Sequence, residues 1–450
     1  MSKKQFFPMS IVDETVYIME GAVRTSLTGT FILTLEGEVC VTTVREALDA
    51  SCNLYPKFKC ILVQNYPSIK RWFRYCWEYK DAKCENILKE IEDINQNYNP
   101  QEVFTYCKQN HLFTFLDITR QVPIQVVLIR QPDQATLIFT FHHAAVDGIG
   151  VILFIQRFIQ FYEEIFYHRK KDNDYSPDFR AISQPEIKFP WKSFSLHHFY
   201  NYLRGAALLA LEPSAQVQTQ GGKGSMRMLL ATVREITTSQ LKTIRATVKK
   251  YHVTFNDYLL SAMFQTIKKW NQQGGKKSER IYINVPVNLR SPEDHTVGNI
   301  LSGFNISFRS ELIGEKREMV RLIRKELISM MENDIVRTTL SLTWILKLIP
   351  LKIKMLMFKH HPHTFYPTLA LSNIGICNPN PSHKDEEGFH YMGAARISNI
   401  SFITSAVPWP QVVVLTYNER MTICLSVFRS HFSLEAAERL LDSFVRELIE

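Results

Sequence analysis

The heptad His142-His143-Ala144-Ala145-Val146-Asp147-Gly148 joins a predicted strand to a predicted helix, and no other feature of the chain limits its fold as strongly. The segment before it, Ala135 to Phe141, is apolar and rich in β-forming residues, and it follows a turn at Pro132-Asp133. After the heptad, apolar side chains recur at helical spacing, at Ile155, Phe158, Ile159, Tyr162, Ile165 and Phe166. The two histidines are therefore expected where a buried strand ends and an amphipathic helix begins.

Two interpretations of this histidine pair compete, a functional site and a pair of buried structural histidines. Two His, one Asp and one Gly at fixed offsets are rare by chance in a chain of average composition. The other pairs, His197-His198 and His360-His361, have no Asp-Gly at the same offset and no flanking strand, so we interpret them as surface or packing residues. The heptad is therefore favoured as a functional site.

The heptad matches the HHxxxDG signature, and the chain thereby resembles the chloramphenicol-acetyltransferase-like superfamily of thioester-dependent acyltransferases. That superfamily includes the condensation domains of peptide synthetases, the wax ester synthase/diacylglycerol acyltransferase group and alcohol acyltransferases. Three later segments resemble motifs of the wax synthase group, in the same order along the chain. They are Thr254-Phe255-Asn256-Asp257, Val285 to Arg290 followed by Gly298-Asn299, and Leu371 to Gly375.

The resemblance implies a mixed α/β (α+β) fold in which two chloramphenicol-acetyltransferase-like subdomains form a pseudo-dimer, with the active-site tunnel between them. Composition agrees with two hydrophobic cores, because the 450 residues are 45% hydrophobic and 22% charged. We expect the first subdomain at residues 1–175, a linker or crossover at 176–225, and the second subdomain at 226–450. Within the linker, Ser214 to Gly224 is interpreted as an exposed, flexible connector that proteases cut first.

Periodicity predicts strands alternating with helices in both halves. In the first half, strands are predicted over Thr28 to Leu35, Pro123 to Arg130 and Ala135 to His142, and helices over Val44 to Cys52, Cys84 to Asp93 and Gly148 to Tyr167. In the second half, strands are predicted over Arg227 to Arg234, Ile281 to Val287 and Ile300 to Phe308, and near Leu369, Ser401, Val412 and Thr422. Helices are predicted there over Ser239 to Lys250, Asn256 to Trp270, Lys316 to Met331 and Ser433 to Leu448.

The chemistry implied by the resemblance is direct transfer of an acyl group from a thioester to a hydroxyl or amine. His143, the second histidine, would take the acceptor's proton as general base and return a proton to the departing thiolate. His142 is expected to pack or to form hydrogen bonds. A nucleophilic serine or cysteine is disfavoured, because the sequence has no GxSxG elbow and no cysteine in a recognisable reactive setting.

Other residues receive supporting roles from the same pattern. Asp147 would pair with Arg290 across the site, with bidentate geometry as one option, and so lock the tunnel wall. Gly148 would let the backbone approach the thioester and would start a helix whose first amide groups are free. Ser372 and Asn373 are candidates for polarising the oxyanion of the tetrahedral intermediate, with a simple turn residue as the alternative for Asn373.

The net charge of +9 is dispersed through helices and loops, so it favours a phosphorylated donor over nucleic acid, with solvated charge and no partner as the alternative for any single basic residue. The expected donor substrate is acyl-CoA or an acyl group on the phosphopantetheine of a carrier protein, and the expected acceptor is a small molecule or lipid. No permanently bound cofactor is implied. The eight cysteines show no CxxC or Cys/His spacing, which indicates free thiols and no structural metal. Without a signal peptide or an apolar run of spanning length, we expect a cytoplasmic protein.

The segment Leu340 to Phe358 combines apolar runs with three lysines and a proline. Three interpretations stay open: a helix pair that covers the core, which is favoured, the wall of a lipid-sized acceptor pocket, or an amphipathic anchor that makes peripheral membrane contact.

These observations favour an O-acyltransferase of the wax synthase or alcohol acyltransferase type that uses acyl-CoA. One alternative is a free-standing condensation-type domain that accepts acyl groups from a carrier protein and forms an ester or amide. Another alternative is a catalytically silent binding protein on the same fold.

Overall fold

The fold is described from a computed structural model of the chain. The described residues are 5–23, 27–64, 75–80, 86–92, 102, 105–107, 116–168, 175–183, 195–197, 199–200, 203–204, 212, 214–223, 229–275, 279–336, 338–339, 349–350, 353–356, 367–404 and 407–450.

The longer helices within these ranges are α1 Ile11–Val23, α2 Val41–Leu54, α3 Gly148–Phe166, α4 Thr238–Tyr251, α5 Phe255–Gln273, α6 Lys316–Glu332 and α7 Leu434–Ile449. Short helical turns lie at Pro56–Lys59, Arg180–Ser183 and Ser310–Leu312. The strands are β1 Phe6–Pro8, β2 Thr28–Glu36, β3 Cys60–Gln64, β4 Tyr75–Tyr79, β5 Leu88–Glu92, β6 Ile124–Arg130, β7 Gln134–His142, β8 Leu229–Ile236, β9 Arg280–Asn288, β10 Leu301–Arg309, β11 Leu369–Ile376, β12 Tyr391–Met392, β13 Ala395–Thr404, β14 Gln411–Tyr417 and β15 Arg420–Phe428.

Two six-stranded sheets, each with its own hydrophobic core, form the two halves of the molecule. The first sheet has the strand order β12-β13-β2-β7-β6-β5, and α2 and α3 pack against it. The second has the order β10-β9-β11-β14-β15-β8 and packs against α5 and α7. A small third sheet, β1-β4-β3, lies in the first half. The predicted mixed α/β fold with two subdomains is confirmed.

The second half of the chain contributes a strand to the first sheet. Strand β13 pairs antiparallel with β2 from Arg396 opposite Glu36 to Thr404 opposite Gly29. Side chains of β13 and β14, among them Ile400, Phe402 and Val413, belong to the same hydrophobic core as α3. The two halves are therefore interlocked through a shared sheet and a shared core.

One predicted helix is wrong. Within Cys84 to Asp93, residues Leu88–Glu92 form strand β5, which pairs in parallel with β6. Leu88 and Ile91 have the three-residue spacing of a helix, but β6 offers an open edge whose backbone groups need partners, and tertiary pairing overrides the local pattern. Glu90 and Glu92 both form ion pairs with Arg130 on β6.

The interpretation of Ser214 to Gly224 as an exposed, flexible connector is also wrong over 214–223. Ala215 and Val217 are buried in the second core. The main-chain amide of Ala215 donates to the carbonyl of Arg280 at 2.9 Å, and the main-chain amide of Gln218 donates to Asn271 Oδ1 at 2.8 Å. The segment therefore runs along the second half as packed, hydrogen-bonded chain, and its glycine content reflects close packing instead of mobility.

Gly222 supplies a direct test of this packing. A Cβ atom at this position would lie 2.1 Å from the carbonyl oxygen of Ser430. We expect Gly222→Ala to destabilise the protein by about 1–3 kcal/mol, because backbone must move to relieve the clash. Gly21→Ala is the matched control, since a Cβ there meets nothing within 4 Å and alanine favours the helix. Denaturant unfolding measures both variants, and equal stability of Gly222→Ala and wild type would contradict a docked segment.

Most of Leu340 to Phe358 lies outside the described residues, so its three interpretations stay untested. Within it, Lys354 is buried and its Nζ lies 2.8 Å from Glu14 Oε2, whereas Ile353, Met355 and Leu356 are exposed. Among the helices that the structure describes, none is long and apolar enough to cross a membrane.

Candidate active site

A cavity of about 460 Å³ lies between the two sheets. Its walls come from α1, from β2, β7 and β13 of the first sheet, and from β9, β10, β11 and β14 of the second. This volume is within the roughly 300–1,000 Å³ of small-molecule sites. The heptad brings His143, Val146, Asp147 and Gly148 to this cavity.

His143 is the first residue after strand β7, and it faces the cavity with one nitrogen already engaged. Its amide donates to the carbonyl of Leu27 at 2.7 Å, which fixes the start of the turn. Its Nδ1 lies 3.2 Å from the carbonyl oxygen of Val146. A carbonyl can only accept, so the neutral imidazole carries its proton on Nδ1 and leaves Nε2 as the basic nitrogen. Burial lowers the pKa of His143, while the nearby Asp147 carboxylate acts in the opposite direction.

His142 points into the first half and does not belong to the described cavity lining. Its side chain is fully buried, its Nδ1 accepts from the Ala144 amide at 3.1 Å, and its Nε2 lies 2.8 Å from Glu20 Oε2. Glu20 Oε2 also accepts from the Leu27 amide at 2.9 Å. The first histidine therefore ties the end of β7 to helix α1 and to the chain just before β2.

Asp147 lies at the N-cap of α3 and contacts Arg290 of the second half. Its Oδ1 accepts from the Gly150 amide at 2.7 Å, and its Oδ2 accepts from Arg290 Nη1 at 2.9 Å and from the Ile300 amide at 2.7 Å. Both side chains are almost completely buried. The pair is not bidentate, because one carboxylate oxygen caps the helix. The remaining Arg290 nitrogens donate to the carbonyls of Thr296 and Gly298.

The tightest contact between α3 and the second half lies at Gly150, two residues after Gly148, while the approach of Gly148 to a thioester stays a prediction. A Cβ at Gly148 would meet Ile374 Cδ1 at an ordinary 3.6 Å, whereas a Cβ at Gly150 would lie 2.6 Å from Val146 Cγ2 and 3.0 Å from the Gly298 carbonyl oxygen. Gly150 is the position that lets α3 start against the second half. Gly148 lines the cavity and leaves space there.

Of the two candidates for polarising the oxyanion, Ser372 and Asn373, one lies among the described residues that line the cavity. Ser372 on β11 lines the cavity. Asn373 is not among the described lining residues, and its amide is engaged elsewhere, because Nδ2 donates to Asn256 Oδ1 at 2.8 Å and Oδ1 accepts from the Gly375 amide at 3.0 Å. The structure therefore does not support Asn373 in that role. Asn373 lies within strand β11, beside an irregularity of that strand where Gly375 adopts a positive φ of 89°.

Sequence reasoning missed a buried polar network that holds the His143 turn. Asn299 Nδ2 donates to the carbonyl of His143 at 2.9 Å and to Asp13 Oδ1 at 2.8 Å. Asp13 Oδ2 in turn accepts from Lys57 Nζ at 2.8 Å and from Trp77 Nε1 at 3.3 Å. Asn299 thus joins the second half, helix α1 and the turn that carries His143. The Gly298-Asn299 motif marked the position, but nothing in its local sequence indicated these partners.

The sequence of helix α1 contains an apolar periodicity that predicts a helix and that sequence reasoning did not use. Val12, Val16 and Met19 recur at helical spacing, and all three line the cavity. In contrast, Thr254 and Asp257 of the second-half motif form a capping box at the start of α5, so their role is to begin a helix.

The seven described cysteines are free thiols. None of the seven lies among the described residues that line the cavity. Hydrogen bonding to Thr42 lowers the pKa of Cys40 to about 7, but this residue is at the N-cap of α2. A cysteine nucleophile in the cavity therefore has no support among the described residues.

Known proteins are similar to this chain in sequence family and in fold. Residues 21–450 match the protein family described as Condensation domain. No curated protein matches the chain significantly. The fold is similar to the TRI3 trichothecene 15-O-acetyltransferase from Fusarium sporotrichioides, with a TM-score of 0.76 and 12% identity over 99% of this chain and 95% of that one.

Two further solved structures share the fold. The first condensation domain of the CDA synthetase has a TM-score of 0.71 and 11% identity, covering 99% of this chain and 96% of that one. Polyketide synthase associated protein 5 from Mycobacterium tuberculosis has a TM-score of 0.68 and 14% identity, covering 98% and 97%.

Proposed function

The chain belongs to the condensation-domain family, and from that premise we propose that it is an acyltransferase that moves an acyl group from a thioester to a hydroxyl acceptor. The observation that carries the proposal is the placement of His143. Its Nδ1 is held by a main-chain carbonyl, burial favours the neutral form, and the ring lies in a cavity bounded by both sheets. A neutral imidazole beside a small-molecule cavity is suited to general-base chemistry.

The proposed reaction is a direct transfer. His143 Nε2 takes the proton of the acceptor hydroxyl as its oxygen attacks the thioester carbonyl, which forms the new C–O bond and a tetrahedral oxyanion. The C–S bond then breaks, and the imidazolium returns its proton to the thiolate. The products are an ester and a free thiol, and His143 is neutral again. Ser372 is the candidate for a hydrogen bond to the oxyanion, since this residue lines the cavity.

A hydroxyl acceptor and acyl-CoA are the favoured substrates. The structurally similar TRI3 protein is an O-acetyltransferase, and the motifs around Thr254 and Arg290 resemble the wax synthase group. The likeness to a condensation domain of a peptide synthetase supports the alternative, a carrier-bound donor with ester or amide formation. The dispersed net charge of +9 suits either phosphorylated donor.

We also keep, as a proposal, the division of the chain into a first subdomain at 1–175, a linker or crossover at 176–225 and a second subdomain at 226–450.

The function is tested by thiol release from acyl-CoA with a panel of alcohols and amines, first without and then with an acylated carrier protein. Alcohol-dependent release of CoA without carrier protein supports the proposal. Turnover that requires the carrier protein supports the condensation-type alternative. Binding of both donors with no turnover of either would contradict an enzyme and favour the silent binding protein.

The lowered pKa of His143 predicts the pH profile of kcat/KM. The neutral imidazole is the active form, so activity is lost only as the pH falls through the pKa of the free enzyme. Because burial moves that pKa below the ordinary value of 6.5, we expect kcat/KM to be flat near neutral pH and its acid limb to lie below 6.5. Melting temperatures at each pH control for unfolding. An acid limb centred at or above 6.5 would contradict a neutral base whose pKa is lowered.

A further inference from the structure

Helix α1 presents two different faces, and one of them lines the candidate active site. Val12, Val16 and Met19 lie four and three residues apart, so they form one apolar stripe along the helix, and all three line the cavity. Val16 and Met19 also pack against Trp409 and Val407. These two residues line the cavity as well, so the stripe continues into an apolar wall from the second half.

The same helix is fixed in place by three buried carboxylates. Asp13 accepts from Lys57 and Asn299, and Glu14 lies 2.8 Å from the buried Lys354. Glu20 accepts from the Leu27 amide and lies beside His142. Asn299 and Lys354 belong to the second half, whereas Lys57 and His142 belong to the first. The helix is therefore held from both sides, and its apolar stripe has a defined position relative to His143.

The described cavity lining offers no unpaired charge. Among these residues Asp147 is the only carboxylate, and its oxygens are occupied by the Gly150 amide, Arg290 and the Ile300 amide. No lysine or arginine is among them. The polar lining residues are neutral apart from Asp147, with His143 favoured in its neutral form. A charged group inside this cavity would lose hydration without meeting an unengaged residue of fixed opposite charge.

We propose that α1 is the specificity wall of the site, where Val12, Val16 and Met19 contact an uncharged, apolar portion of a substrate. The inference rests on the proposed acyl transfer and adds the chemical class of the transferred or accepting group. Two sources share this chemistry, the acyl chain of the donor and an alkyl portion of the acceptor. Each methylene buried against the stripe should raise affinity about fourfold until the cavity is full.

Binding is tested without catalysis by calorimetric titration of wild-type protein with 1-octanol, octanoate and octylammonium, which share a chain length and differ in charge. We expect 1-octanol to bind at least about tenfold more tightly than either ion, because the ions lose more hydration and meet no unengaged residue of fixed opposite charge. Binding of an ion as tight as that of 1-octanol would overturn the assignment of an uncharged group, whatever the catalytic activity.

Turnover separates the two sources. One arm varies the acyl-CoA from acetyl to decanoyl with one alcohol, and includes glutaryl-CoA as the charged partner of hexanoyl-CoA. The other arm varies the alcohol from ethanol to decanol with one acyl-CoA. A rise in kcat/KM with length, and discrimination against charge, is expected in the arm whose substrate contacts α1.

Variants of Val16 assign the effect to the helix. In the substrate series that contacts α1, Val16→Ala should shift the length preference towards longer chains and Val16→Phe towards shorter ones. The expected change is about fourfold in kcat/KM for each substrate methylene that the cavity gains or loses room for. Val445→Ala on α7 is the matched control, since this partly buried valine packs in the second core, away from the described cavity lining. It should lower stability and leave the length preference unchanged.

The outcomes distinguish the two proposals. A shift of length preference in the Val16 variants but not in Val445→Ala supports the specificity wall. Turnover whose length preference is the same in wild type and both Val16 variants would overturn it, while the proposed acyl transfer would stand. If no thioester is turned over, the proposed function fails. The wall is then judged by binding of 1-hexanol, 1-octanol and 1-decanol to the Val16 variants, and unchanged affinities would overturn it.

Discussion

Replacing His143 by alanine is expected to lower kcat/KM by about two to four orders of magnitude while leaving the melting temperature nearly unchanged. The activity should fall because Nε2 is the basic nitrogen presented to the cavity. Stability should persist because the side chain makes one hydrogen bond, to the Val146 carbonyl, while the contacts with Leu27 and Asn299 use the main chain and survive in alanine.

His142→Ala is the matched control for this result. The fully buried His142 imidazole lies between the Ala144 amide and the Glu20 carboxylate, so its removal leaves the Ala144 amide without its acceptor and opens a buried space beside Glu20. We expect this variant to lose stability, with lost activity that follows the unfolded fraction. Steady-state kinetics beside thermal melts separate the two cases. Wild-type activity in folded His143→Ala would end the proposed mechanism.

Loss of either partner of the Asp147 and Arg290 pair is expected to destabilise the protein by about 3–5 kcal/mol, because a buried charge is left without its counter-ion. Asp147→Ala also removes the N-cap of α3, which contributes about 1 kcal/mol more. The double variant should cost less than the sum of the single variants, since neither charge then remains unpaired. Denaturant unfolding of the wild type, the two single variants and the double variant gives the coupling energy of the pair.

The exposed pair of Arg245 and Glu419 is the matched control, with its charged atoms 2.8 Å apart, almost the same distance as in the buried pair. Solvent screens this pair, so its cycle should give a coupling energy of about 0–1 kcal/mol. Additive effects at Asp147 and Arg290 would show that their contact does not contribute to stability, and that the cavity wall is held by other contacts.

The sequence was most informative where function and local structure use the same residues. The heptad predicted a strand, a turn and a helix, and His143, Asp147 and Gly148 lie together at the cavity. Arg290 follows Asp147 by 143 residues; the motif resemblance selected it as the partner of Asp147, and the two side chains are in contact. Periodicity likewise predicted β2, α3 and α7, whose buried faces repeat with the period of their own backbone.

Features that depend on distant partners could not be predicted in this way. Asn299 acquires its role from Asp13, 286 residues away, and β13 joins a sheet of the other half by pairing with β2. Residues 214–223 look like a linker, yet their backbone groups find acceptors and donors on the second half. Gly150 makes a tight contact that its local sequence does not indicate, because the Gly298 carbonyl comes from another segment. A local pattern contains no information on such neighbours.

The central claim, direct transfer dependent on His143, is tested most directly by one single-turnover measurement. Excess protein is mixed with acyl-CoA labelled in the acyl group and an alcohol, quenched at short times, and the label is located by mass spectrometry in acyl-CoA, ester or protein. We predict that the label passes from acyl-CoA to ester without appearing on the protein, and that His143→Ala leaves it in acyl-CoA. Label bound covalently to the protein before ester appears, or ester formed at the wild-type rate by His143→Ala, would contradict the account.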